Sequence, residues 1–257
     1  MVVEVPHAGL AVPAQHGRSL IAPVRSLARD ADLYVDELFE EAALEGATLL
    51  VSRISRYVID LNRAESDVDA DAVAGASGSR MPRGLIWRLT TDGERALSAP
   101  LAPGELEARL REVYRPYHAA LAAALERKKT RFGVAVLLAA HSMPSVGRTA
   151  HGDTGRARAD VVPGTRGRTS AAAQFIDTVD SHARTRGWTV AHDDPYRGGF
   201  ATQHYGRPSA GVHAIQVELA RRLYMDETTL ARKRERFTVV QSWCRALVAK
   251  LSQSALG

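Results

Sequence analysis

The chain has 257 residues, 45% hydrophobic and 25% charged, with a net charge of +5 from 34 basic and 29 acidic side chains. This is globular composition, which excludes a disordered chain, and no apolar run approaches the roughly 18 residues that a membrane span requires. A single cysteine, Cys244, excludes an intrachain disulfide and a multi-cysteine zinc site; its apolar surroundings predict a core position, and any metal falls to His, Asp and Glu. The basic excess is mostly scattered arginine, and its one dense run, 232–236, reads as a solvated helix face, so no nucleic-acid partner is expected. The first residues, MVVEVPHAG, lack a basic segment and a long apolar core, so the expectation is a cytoplasmic protein without a signal peptide.

In chain order, 2–6 reads as a strand, 31–44 as an amphipathic helix, 47–51 as a second strand and 56–59 as a third. Residues 64–82 turn to Asp, Ala, Ser and Gly without periodicity, which predicts an exposed, mobile loop and a lid in one reading. A long helix over 103–129 opens on Pro103 and acidic residues. The run GVAVLLAAHS suits a central strand buried on both faces. Residues 143–170 look irregular, followed by a helix over 171–185, a strand over 188–191, a turn at 196–199, a buried strand over 211–219 and a final helix over 227–251. Apolar strands alternating with amphipathic helices predict one α/β domain across 1–257.

Two histidines close apolar strands, His7 after the first and His141 after the central one. Strand ends line the ligand crevice of an open α/β sheet, so the two imidazoles can share a metal with a carboxylate, leaving a fourth position for water. Asp30, Asp32 and Asp36 are the carboxylates nearest in the pattern, although each also suits a helix start. Glu218, between Val217 and Leu219, reads equally as a general base or as an ion-pair partner of Arg221 or Arg222. Asn62 and Arg63 offer an amide and a planar fork to a carboxylate, and Arg56 a charge for an oxyanion; a salt bridge to Asp60 or Glu65 is the alternative. No GxSxG is present, and the 164–170 loop lacks the ending of a phosphate loop.

These segments together resemble the N-formylglutamate amidohydrolase (N-formylglutamate deformylase) family. The matching stretches are VPHAG, DADLYVDELF, SRYVIDLNR, GLIWRLTTDG, PYHAAL, AHSMPSVG and PYRGGFATQHYGRPSAGVHAIQVELARRLYM, in order along nearly the whole chain. The resemblance implies kinship with zinc carboxypeptidases and aspartoacylases, and an α/β/α sandwich around a mixed, mostly parallel sheet. It implies one zinc per chain held by His7, His141 and Asp32, with Asp36 the alternative carboxylate; manganese, cobalt and iron suit the same donors. It implies Glu218 as base, Arg56 at the oxyanion, and Asn62 and Arg63 on the substrate carboxylate. The substrate class is then an N-acyl amino acid, N-formyl-L-glutamate above all, as in histidine degradation. Another N-acyl substrate and an inert binding protein on the same fold are the competing expectations, and arginines near 197–207, such as Arg207, are candidates for a side-chain carboxylate. Two departures bear on the pocket: Leu33-Tyr34 stand where relatives of the histidine pathway have Trp-His, and Thr165 where relatives often have Asp.

Overall fold

Alternation of buried side chains sets up a sheet with two covered faces. In the computed structural model, which describes residues 1–77 and 80–255, the strands are β1 (Val2–Val5), β2 (Thr48–Val51), β3 (Ala135–Met143), β4 (Val161–Gly164) and β5 (Val212–Ala220). They lie in the order β2-β1-β3-β5-β4, all parallel except β4, which runs antiparallel to β5. Helices are α1 (Ala14–Gly17), α2 (Val24–Asp30), α3 (Val35–Leu38), α4 (Pro103–Arg109), α5 (Arg115–Phe132), α6 (Ala173–Arg184), α7 (Phe200–Tyr205) and α8 (Arg234–Ser254).

On one face Val3, Val5, Leu138, Ile215 and Val217 pack against Leu38 of α3, Ile176 of α6, and Val240 and Trp243 of α8. On the other, Val2, Leu137 and Ala214 pack against Tyr117, Leu121 and Leu125 of α5. Burial of every β3 side chain explains its continuous apolar run, since a central strand with helices on both sides has no polar face. Cys244 is a free, buried thiol in α8. No helix among the described residues is long and apolar enough to cross a membrane.

Several elements differ from the sequence expectation. The helix expected over 31–44 is reduced to α3 and a 3-10 turn, Glu40–Glu45. Its first turn is lost because the Asp32 N–H donates to the His7 carbonyl at 2.9 Å and Tyr34 takes a left-handed φ of 68°. Residues 56–59 form a turn rather than a strand; Val58 and Ile59 are buried, but the Val58 carbonyl accepts from Arg109 at 2.8 Å instead of a neighbouring strand. The 188–191 strand shrinks to one bridge, Val161 to Val190. The irregular stretch contains β4, an edge strand, where Pro163 costs little because one side of its backbone needs no ladder partner. The helix expected over 103–129 passes through a π turn, Leu110–Tyr114, just before Pro116, whose ring an unbroken α-helix would not accommodate. The last helix starts at Arg234 rather than 227.

The 64–82 segment carries no helix or strand among its described residues, Gly78 and Ser79 lying outside them. It is not exposed throughout: Asp69, Ala72 and Val73 are buried, and the Leu101 N–H donates to the Ala72 carbonyl at 2.9 Å.

Candidate active site

The carboxyl ends of parallel β1, β3 and β5 bring the predicted residues together. Asp32, held by its backbone bond to His7, turns its carboxylate between the two histidines. His7 Nδ1 lies 3.6 Å and His141 Nδ1 3.0 Å from the same oxygen, Asp32 Oδ2. All three residues are buried, and their ligand atoms lie within 4.8 Å of one another. Asp36, the alternative, is elsewhere: its carboxylate pairs with Arg53 at 2.8 Å near the surface.

His7 Nδ1 is a buried polar atom with no hydrogen-bond partner. Such atoms are rare, because an unpaired buried group costs the full loss of its hydration. Nε2 of the same ring donates to Asp60 Oδ1 at 2.8 Å, which leaves Nδ1 as the lone-pair nitrogen. Burial raises the Asp32 carboxyl, but the hydrogen bond from His141, with the neighbouring imidazoles, outweighs it and holds it well below the usual range. Burial opposes protonation of His141, yet Asp32 and Glu218 raise its pKa. A field that favours a proton there favours a divalent cation among these donors, two nitrogens and an oxygen, the set that suits zinc.

Asp60 stands at the centre of the site although the sequence reading took it only as a salt-bridge partner for the arginines. Its carboxylate is fully buried and accepts from His7 Nε2, the Asn62 N–H at 2.9 Å, Arg56 Nη2 at 2.7 Å and Trp87 Nε1 at 3.0 Å. One anion therefore orients the His7 ring, the Asn62 turn and the Arg56 guanidinium, which also lies 4.3 Å over the Trp87 ring. The available signal was the acid itself, set in the apolar run YVIDL four residues after an arginine. Asp60→Asn is expected to weaken metal binding about 10- to 100-fold, measured by competition with a chromophoric chelator.

Glu218 sits directly opposite His141 in the β3–β5 register. Gln216 Nε2 donates to its Oε1 at 2.8 Å, and burial, with the nearby Asp32 charge, raises its pKa despite His141. The ion-pair alternative is not realised: Arg221 donates to the Ala31 carbonyl at 2.6 Å and to Asp32, and Arg222 to Asp160 at 2.7 Å. Asn62 is fixed from three sides. Its Oδ1 accepts from the Ala201 N–H at 3.0 Å, its Nδ2 donates to Gln216 Oε1 at 3.1 Å, and that nitrogen lies 3.3 Å from His141 Nε2.

A cavity of about 450 Å³ opens over these groups, with His7, Asp32, Arg56, Asn62, Arg63, His141 and Glu218 all in its wall. It is rich in arginine. Arg29 pairs with Asp92, Arg56 with Asp60, Arg148 with Asp30 and Asp92, and Arg221 with Asp32. Arg63, Arg83 and Arg197 line the same cavity without a carboxylate partner among the described residues. Arg207 is not in this wall; it lines an adjoining cavity beyond Arg63. Neither departure from the family pattern reaches the site: Leu33, Tyr34 and Thr165 are absent from the cavity wall, and Thr165 is buried with its N–H on Asp193. No described residue of 64–82 lines this cavity.

Comparison with known proteins finds relatives over most of the chain. A sequence model of N-formylglutamate amidohydrolase matches residues 1–225. The chain is 34% identical over 231 residues to an N-formylglutamate deformylase of Pseudomonas putida, covering 89% of this chain and 82% of that protein. The Pseudomonas aeruginosa deformylase is 34% identical over 233 residues, with 88% and 82% covered. A crystal structure of N-formylglutamate amidohydrolase from Ralstonia eutropha JMP134 superposes with a TM-score of 0.87 at 31% identity, covering 99% of this chain and 93% of that one.

Proposed function

The chain belongs to the N-formylglutamate amidohydrolase family, and from that premise we propose that it hydrolyses N-formyl-L-glutamate to formate and L-glutamate, using one divalent metal, zinc in the simplest case. The observation that carries the metal is the buried, unpartnered His7 Nδ1 beside His141 Nδ1 and Asp32 Oδ2, under a cavity that also holds Glu218. His7, His141 and Asp32 would hold the ion. An ion held there would supply Lewis acidity toward water and the amide carbonyl.

The chain's own residues do the rest. Glu218, made more basic than an ordinary carboxylate by burial, takes a proton from the attacking water and delivers it to the departing amine. Arg56, immobilised by Asp60 and Trp87, presents its charge to the developing oxyanion without reorganising. Arg63 holds the substrate α-carboxylate with Asn62, whose fixed amide sets the scissile bond in register with Glu218.

Gly199 supports that register. A Cβ there would overlap the Asn62 carboxamide, and the Gly199 N–H donates to Gln216 Oε1 at 2.8 Å. Gly199→Ala is expected to lower kcat/KM about 10²-fold through displaced substrate, with metal content unchanged, read by steady-state kinetics and elemental analysis. The reading as a whole is tested by assaying the purified, zinc-loaded protein against N-formyl- and N-acetyl-L-glutamate. Formate release well above acetate release supports it; acetate release equal to or above formate release assigns a different acyl group, and no hydrolysis of either rejects it.

A further inference from the structure

The cavity holds more free positive charge than one α-carboxylate requires. With Arg63 assigned to that group, Arg83 and Arg197 remain without an anionic partner among the described residues. We propose that Arg83 is a specificity-determining residue that pairs with the side-chain carboxylate of the substrate and selects doubly anionic N-acyl amino acids; this rests on the amidohydrolase reading above.

The two candidate arginines differ in how they are held. Arg197 is exposed, so its attraction to an anion is screened by water and salt. Arg83 is half-buried, and its Nη2 donates to the Ala150 carbonyl at 2.5 Å. That bond leaves other guanidinium donors free and fixes the plane of the fork, the geometry that matches a carboxylate. Both ends of the support are anchored. The Ala150 N–H donates to the Thr91 carbonyl at 3.2 Å. The Arg83 turn is closed by the Gly84 N–H on the Met81 carbonyl at 2.8 Å and bridges to Trp87, the residue that stacks on Arg56.

Electrostatics point the same way. Burial, together with the charges of Arg63 and Arg56, pushes the Arg83 guanidinium below its ordinary pKa, with Asp30 opposing. Guanidiniums that repel one another in a half-buried wall are relieved by an anion placed among them. His151, in the same wall, is pushed down to about 4 by burial and by Arg158, so it is neutral near pH 7 and adds no further positive charge. A site built this way rejects an uncharged isostere, because the isostere leaves Arg83 desolvated and unpaired.

The test compares N-formyl-L-glutamate with N-formyl-L-glutamine, which carry the same scissile bond and nearly the same shape. Wild-type protein is expected to prefer the glutamate substrate by about 10²-fold or more in kcat/KM. Arg83→Gln is expected to lose most of that factor on the glutamate substrate and much less on the glutamine one, so that the preference collapses; Arg83→Lys restores part of it. An equal loss on both substrates assigns Arg83 a structural role and overturns the proposal, as does a wild type without preference. Calorimetry of L-glutamate and L-glutamine binding separates the two readings should neither substrate turn over. Tighter L-glutamate binding that Arg83→Gln abolishes keeps the second carboxylate subsite and removes the amidohydrolase reading, whereas equal binding removes the subsite as well.

Discussion

Glu218→Gln is expected to lower kcat on N-formyl-L-glutamate by about 10³-fold while the protein keeps its metal. The substitution preserves the volume and still accepts the 2.8 Å bond from Gln216, so the strand and the neighbouring histidine ligand stay in place. What it removes is the one carboxyl of Asp32, Asp60 and Glu218 that is raised and can take up a proton, since those of Asp32 and Asp60 are held well below the usual range. Stability carries an independent sign. The carboxyl of Glu218 is raised by burial, so its contribution is complete below the unfolded pKa and lost as pH rises through the folded value. Near pH 7 the metal-free variant should therefore melt no lower than metal-free wild type. Near-full activity in the variant would remove Glu218 as the base; a lost metal or lower melting point would indicate a structural role instead.

His7→Ala is expected to reduce bound metal to a small fraction of one equivalent and formate release to background. Two interactions disappear together: the Nδ1 donor, and the Nε2 bond that satisfies Asp60. Elemental analysis alongside circular dichroism checks it. The expected pattern is a folded protein without metal; a folded variant with a full equivalent would show that the donor set is other than His7, His141 and Asp32.

Strands β1, β2, β3 and β5 and the two histidines were legible in the sequence, because apolar runs are a strong signal for a doubly covered sheet and both histidines follow or close such runs; β4 was not. The choice between Asp32 and Asp36 was not. A helix from residue 31 puts both carboxylates on one face, whereas the left-handed Tyr34 and the His7–Asp32 backbone bond turn Asp32 inward and send Asp36 to Arg53. Spacing carries no trace of a tertiary bond of that kind. Asp60 was hidden by its neighbours, because an acid beside an arginine reads as a surface pair until burial is known. The same holds for Arg83, whose segment, GLIWRLTTDG and the residues before it, has no motif that marks one arginine as facing a cavity. The 56–59 run misled in the other direction: four apolar-rich residues suit a strand as well as a buried turn, and length cannot separate the two.

The proposed activity depends on one metal held by His7, Asp32 and His141. It is tested most directly by titrating zinc into chelator-treated protein while following formate release from N-formyl-L-glutamate. Activity should start near zero, rise in proportion to added metal and stop rising at one equivalent per chain. Full formate release from the metal-free protein, or none after one equivalent is bound, would contradict it.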